Sequence, residues 1–247
     1  MISIEYMEKH ISIITISRNS INALSFNMVE AFHNALNEIS NNSSSRVLII
    51  RSDQKHFCAG ADLKERAGMS DKETMDFIDK IGSCFNKLAS LSIPTIALIH
   101  GAVLGGGLEL ALACDFRLSS DSLKIGLPET SLGIIPGAGG TQRLPMLVGL
   151  SRAKEMIFSG SPIDAHSALR YGLIDYMYSP DEMFSECIQF SKKFLTVSSQ
   201  AISSAKIAMG SDFTFNLDLE KECYANILKS PDRISALKRY VLGSKKK

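Results

Sequence analysis

Pro94-Thr95-Ile96-Ala97-Leu98-Ile99, followed by Gly105-Gly106-Gly107-Leu108-Glu109-Leu110-Ala111-Leu112-Ala113, decides the fold class. The first run reads as an apolar strand opened by proline, the second as a short apolar helix opened by glycine. Both are too apolar for a half-exposed position, so both belong in a core. Upstream, residues 2 to 6 and 11 to 17 alternate Ile and Thr with polar residues around Glu8-Lys9-His10, which predicts a β-hairpin. Ser25 is a suitable N-cap for a helix whose apolar positions are Met28, Phe32, Ala35, Leu36 and Ile39, ending in the Asn/Ser-rich stretch 40 to 45. Val47-Leu48-Ile49-Ile50 then reads as a strand, 52 to 68 as a loop and 71 to 91 as a polar helix.

Past residue 140 the pattern becomes helical, through 151 to 159, 164 to 171, 181 to 195, 199 to 210, 215 to 229 and 232 to 241, with a short strand near 174 to 178. Residues 1–180 are therefore expected to form an α/β core and 181–247 a helical region that packs on it or mediates assembly.

At 45% hydrophobic and 21% charged, a chain of 247 residues can bury a substantial core, and its formal charge of +1 supplies no global field for nucleic acid or a membrane surface. Any anionic ligand must be held locally. The five cysteines, Cys58, Cys84, Cys114, Cys187 and Cys223, form no Cys-x-x-Cys pair, which argues against a disulfide framework or a zinc site and for a reducing, cytoplasmic setting. Glu5 and Glu8 stand where a targeting segment would be apolar or acid-free, and the apolar run 97 to 114 is broken by His100, Glu109 and four glycines. Neither an address signal nor a membrane span is expected.

Glu109 lies within the most apolar helix of the chain. It is either paired structurally, with Arg117 or Arg143, or held with a raised pKa for proton transfer. Glu129 follows Pro128 and by itself reads as a first-turn glutamate, favoured by the helix dipole. Two carboxylates in apolar, glycine-rich surroundings are the arrangement in which one carboxyl donates and the other accepts a proton. The glycines at 105 to 107 and 137 to 140 leave free N–H groups suited to an oxyanion, with close helix packing as the alternative. A dinucleotide fingerprint fails because Gln142 stands where Gly137-x-Gly139 needs a third glycine, and no Gly-Lys-Ser/Thr follows for a phosphate loop.

Three linked stretches, Phe57-Cys58-Ala59-Gly60-Ala61-Asp62-Leu63-Lys64, Gly101 through Asp115, and Pro128-Glu129-Thr130 through Leu144, closely resemble the signature of the crotonase, or enoyl-CoA hydratase/isomerase, family. The resemblance implies a spiral of ββα units followed by a helical trimerisation region, assembled as homotrimers or as hexamers made of two trimers. It implies a 2-enoyl-CoA substrate from fatty-acid or branched-chain acyl metabolism and no separate cofactor or metal, coenzyme A being part of the substrate. The N–H groups of Ala61 and Gly106 would form the oxyanion hole, each worth roughly 3 kcal/mol. Ala59, Ala61, Asp62, Leu63 and Lys64 would lie along coenzyme A, and Gly106 and Gly137 would face the thioester. Glu109 would activate water while Glu129 protonates Cα. Having both glutamates favours a hydratase over an isomerase that needs only Glu129.

Within the family the chain is similar to the methylglutaconyl-CoA hydratase branch, so hydration of that thioester is an alternative, as is double-bond isomerisation. Members of that branch bind AU-rich RNA through lysines on the first helix. The matching positions here are Phe26, Glu30 and Asn34, so a nucleic-acid partner is not expected. The loop Arg18-Asn19-Ser20-Ile21-Asn22 is shorter than is usual in the family, and the common final aromatic segment is missing.

Overall fold

The computed structural model describes residues 1–7, 10–210 and Pro231; the helices expected over 215–229 and 232–241 lie outside the described residues. The expected hairpin is present as β1 (Ile2–Met7) and β2 (Ile11–Ile16), paired antiparallel from Ile2↔Ile16 to Met7↔Ile11. Helix α1 (Phe26–Asn41) starts where Ser25 Oγ accepts from Met28 N at 3.2 Å, and it buries Met28, Phe32, Ala35, Leu36 and Ile39. Strand β3 (Val47–Ser52) pairs parallel with β2. The stretch read as a loop over 52 to 68 contains one helical turn, α2 (Leu63–Arg66), because Asp62 caps it by accepting from Lys64 N and Glu65 N. Helix α3 (Asp71–Ala89) follows. It is clasped to α1 by Lys80, whose Nζ lies 3.4 Å from the Phe26 ring centroid and 3.3 Å from Glu30 Oε2.

Strand β4 (Thr95–Leu104) runs five residues beyond Ile99, through a register irregularity between Ile99 and Gly101, before α4 (Gly106–Leu112). Its partner β5 (Phe116–Gly126) was not legible in the sequence pattern, since Ser119, Ser120, Asp121 and Ser122 interrupt its apolar character. Beyond it come a 3₁₀ turn (Glu129–Leu132), α5 (Gly140–Val148), α6 (Leu150–Ser159), β6 (Ile163–Asp164), α7 (Ala165–Arg170), β7 (Tyr176–Tyr178), α8 (Met183–Leu195) and α9 (Ser199–Met209).

The seven strands form one sheet in the order β1-β2-β3-β4-β5-β6, with β7 parallel on β5. Side chains alternate faces along the central strands. Ile14, Ile16, Leu48, Ile50, Ala97 and Ile99 pack with α1, α3 and α4, whereas Ile11, Ile13, Val47, Ile49, Ile96 and Leu98 pack with Met183, Cys187 and Phe190 of α8. Both faces are covered, which is why apolar residues stand at consecutive positions along these strands, as in Val47-Leu48-Ile49-Ile50. Helix α8, in the region after residue 180, packs on this second face of the sheet. Helix α9 is tied down by Lys206, which bonds Asp115 Oδ2 at 2.7 Å and Ile93 O at 3.1 Å. Among the described residues no helix is long and apolar enough to cross a membrane.

Candidate active site

The site is assembled by the register of two strands. Leu104 pairs with Gly126, and Gly105 N donates to Gly126 O at 3.0 Å, so the chain leaves the ends of β4 and β5 side by side, towards α4 on one strand and Pro128-Glu129 on the other. A third segment is brought alongside by two isolated parallel bridges, Cys58↔Val103 and Leu24↔Ala61. In the second bridge Leu24 N donates to Gly60 O and Asp62 N to Leu24 O, which turns the Ala61 N–H to the opposite side. Gly106 is the first residue of α4, and its N–H has no acceptor within the helix. A Cβ on Gly106 would lie 4.0 Å from both Ala61 N and Glu109 Oε2, so the two donors and one carboxylate oxygen surround a common point.

Glycine is required here for two separate reasons. Gly105 has φ +52, and a Cβ on it would sit 2.8 Å from Glu129 Oε1; a Cβ on Gly107 would sit 2.0 Å from Cys58 O. The triple glycine therefore lets three backbone segments and a carboxyl group meet.

Glu109 is 3% exposed, and its Oε1 accepts from Ala138 N at 2.7 Å and Gly140 N at 2.8 Å. The second glycine-rich stretch is thereby explained: it folds its own N–H groups onto the carboxylate at the start of α5. Burial pushes the Glu109 pKa up, and the two N–H groups and the Arg143 charge partly oppose it. Neither arginine forms an ion pair with Glu109. Arg117 is buried against Asp175 at 3.5 Å and donates to Leu173 O and Cys114 O, and Arg143 bonds Ala138 O and Asn86 Oδ1.

Glu129 opens the 3₁₀ turn and is 9% exposed. Its Oε2 has no hydrogen-bond partner. Burial pushes its pKa up to about 7 despite its own backbone N–H; the Glu109 charge adds to the rise and the Arg66 charge opposes it. The two carboxyls thus differ in kind: one is anchored by two N–H donors, the other has an unpartnered Oε2 and a pKa of about 7.

Glu109, Glu129, Ala59, Ala61 and Gly106 border one cavity of about 160 Å³. Leu63 and Gly137 also line it, but Asp62 and Lys64 do not. Asp62 is occupied with Arg18 at 2.8 Å and with capping α2, and Lys64 is exposed. The remaining wall includes Arg66 of α2, Ile78 of α3, and Leu132, Ile134 and Ile135, which the sequence reading did not single out. Their signal was a short apolar cluster around Gly133, with Ile134 and Ile135 between Gly133 and Gly137, and with neither helical nor strand period. The histidine beside the strand irregularity is structural, with His100 Nε2 bonded to Gln54 O at 2.7 Å. The described cysteines are all buried, and burial pushes each thiol up to about 12, which leaves them inert at neutral pH.

A solved enoyl-CoA hydratase from Bacillus anthracis superposes with a TM-score of 0.93 at 38% identity, covering 98% of this chain and 96% of that one. The mitochondrial methylglutaconyl-CoA hydratase of Mus musculus is 43% identical over 225 residues, which is 87% of this chain and 72% of that protein. An enoyl-CoA isomerase/hydratase of Mycosarcoma maydis, fer4, is 46% identical over 197 residues, covering 78% of this chain and 72% of its own length. With the family model for enoyl-CoA hydratase/isomerase matching residues 7–240, around a cavity that holds two buried glutamates and two convergent N–H donors, the chain is an enzyme belonging to that family.

Proposed function

We propose that this enzyme reversibly adds water across the double bond of a 2-enoyl-CoA to give a 3-hydroxyacyl-CoA. The observation that carries the reading is the unlike pair of carboxyls on one cavity: Glu109 held by Ala138 N and Gly140 N, Glu129 with a free Oε2 and a pKa of about 7. In the hydration direction Glu109 takes a proton from water as its oxygen bonds to Cβ, and the π electrons move onto the thioester oxygen between the Ala61 and Gly106 N–H groups. Glu129 then gives its proton to Cα as the carbonyl re-forms. The two carboxyls have exchanged protonation states and reset by proton exchange with water. No metal or redox group is called for. Leu63, which lines the cavity, and the exposed Lys64 next to it in α2 are suited to the coenzyme A arm, and Gly137 to orienting the thioester.

Glu129 must be protonated and Glu109 ionised for this reaction. The kcat/KM for hydration is therefore expected to fall roughly tenfold per pH unit above about 7, with the low-pH limb reporting Glu109. A stopped or continuous absorbance assay of enoyl thioester consumption between pH 5 and 9 reads this directly. A flat profile across pH 7 would contradict the acid role.

A second reading, double-bond isomerisation by Glu129 alone, is favoured by the unpartnered Oε2, since a single carboxyl free to swing between two carbons suffices for a proton shuttle. Hydration of 3-methylglutaconyl-CoA is the other alternative and differs only in the acyl group.

The assembly proposed is a homotrimer or a pair of trimers, with the helical region from 181 onward contributing contacts. Support comes from apolar side chains left at the surface of the single chain, among them Leu150, 60% exposed, and Phe158, 72% exposed. Sedimentation velocity at micromolar concentration is expected to give three or six copies, and a monodisperse monomer would refute it.

A further inference from the structure

Glu109 is held through a single oxygen, Oε1, by the N–H groups of Ala138 and Gly140. The carbonyls of the same short segment are both taken by Arg143. Its backbone N donates to Gly139 O at 2.8 Å, and its Nη1 donates to Ala138 O at 3.2 Å. Gly139 has φ +105, and a Cβ on it would lie 2.1 Å from Arg143 Nη1, so the guanidinium fills the space a side chain would occupy. The far end of the guanidinium is fixed as well, Nη2 donating to Asn86 Oδ1 of α3 at 2.7 Å. Among the described residues, the other charged groups on the cavity are Glu129, from the 3₁₀ turn, and Arg66, from α2. Arg117, beyond the end of α4, is turned to Asp175.

We infer that Arg143 is a positioning residue for hydration: by clasping the carbonyls of Ala138 and Gly139 it keeps the Ala138 and Gly140 N–H groups on Glu109, and so keeps Glu109 ready to accept a proton from water. A glycine-rich segment without that clasp is free to turn its peptides, and each N–H turned away removes a donor that favours the ionised carboxyl. The positive charge works in the same direction, because it opposes the rise that burial imposes on Glu109. Arg143 does not line the cavity, so it acts through the backbone and through its field. With the clasp removed the Glu109 pKa rises further, and as pH falls activity is lost at a higher pH than in the wild type. The inference rests on the hydratase reading and adds to it the residue that sets the low-pH limb.

The experiment follows kcat/KM for hydration of crotonyl-CoA against pH in the full chain and in its Arg143→Gln, Arg143→Lys and Asn86→Ala variants. In Arg143→Gln the low-pH limb is expected to move up by roughly one pH unit, from loss of a charge and of the clasp together. The high-pH limb set by Glu129 should stay at about 7. Arg143→Lys keeps the charge and should move the low-pH limb less, and Asn86→Ala, which frees one end of the guanidinium, should also move it upward by a smaller amount. Infrared titration of the Glu109 carboxylate, identified as the band lost in Glu109→Gln, reads the same midpoint without turnover. A purely structural arginine would lower kcat/KM by one factor at every pH, along with the melting temperature, and an unmoved limb and infrared midpoint in Arg143→Gln would overturn the proposal. Should that variant not fold, midpoints unmoved in both Arg143→Lys and Asn86→Ala would overturn it equally. A wild type that hydrates no enoyl thioester, but whose Glu109 infrared midpoint rises in Arg143→Gln, would overturn the hydratase reading while upholding the role of Arg143.

Discussion

Glu109→Gln and Glu129→Gln are each expected to lower enoyl-CoA hydration by at least about 10²-fold while leaving the fold intact. Glutamine at 109 retains an oxygen able to accept from Ala138 N and Gly140 N, the two bonds of 2.7 and 2.8 Å that anchor the side chain, but it can no longer remove a proton from water. Glutamine at 129 preserves the shape of a side chain that is 9% exposed and has no proton to give Cα. Because both groups act on the same water and the same double bond, the losses should not add, and the double variant should be little worse than the poorer single one. Isomerisation discriminates between the two readings. A single-carboxyl shuttle predicts that Glu129→Gln abolishes double-bond migration and Glu109→Gln spares it. Both reactions are therefore to be measured on all three variants, and full hydratase activity in Glu109→Gln would sink the mechanism.

Gly107→Ala should destabilise the protein by about 3 kcal/mol, lowering its melting temperature by roughly 6 to 12 °C, and should depress activity along with it. The new methyl would lie 2.0 Å from Cys58 O, and that carbonyl already accepts from Leu104 N at 3.0 Å in the bridge that brings Ala59-Gly60-Ala61 to the site. Relief requires either helix α4 or the bridge to move, and either movement separates the Ala61 and Gly106 N–H groups. Gly82→Ala is the internal control. Gly82 lies in α3 with nothing within 4 Å of the added carbon, so alanine there should leave stability unchanged or raise it slightly through helix propensity. Similar melting temperatures for Gly107→Ala and the wild type would show that the close approach is not needed.

Elements whose burial follows a simple period were legible before any coordinates. Helix α1 is an instance: Ser25 as cap and apolar residues at 28, 32, 35, 36 and 39 are local features, and the structure buries those residues. Strand β5 was not legible, because its serines are buried by neighbouring strands and not by their own character; Ser119 is 0% exposed. The single turn α2 depends on a cap, Asp62, whose carboxylate is shared with Arg18 more than forty residues upstream in the fold's order.

The candidate site divides along the same line. Glu109 and Glu129 announce themselves by residue type, since a carboxyl in an apolar, glycine-opened segment must be either paired or chemically employed, and the motifs around them already carried the family. Whether Glu109 was paired with arginine was open in the sequence. The tertiary structure decided it by placing two backbone N–H groups on Oε1 and turning Arg117 to Asp175. It also decided the contrast between the carboxyls, which arises from what each oxygen faces, and it placed Arg66 on the cavity wall with its neighbours Asp62 and Glu65 spent on other contacts. The amino-acid sequence by itself determined the α/β class, the buried faces and the reactive residue types, because these follow from local periodicity and side-chain chemistry. Only the tertiary structure determined pairing, pKa and the shape of the pocket, because each depends on atoms brought together from strands, turns and helices distant along the chain.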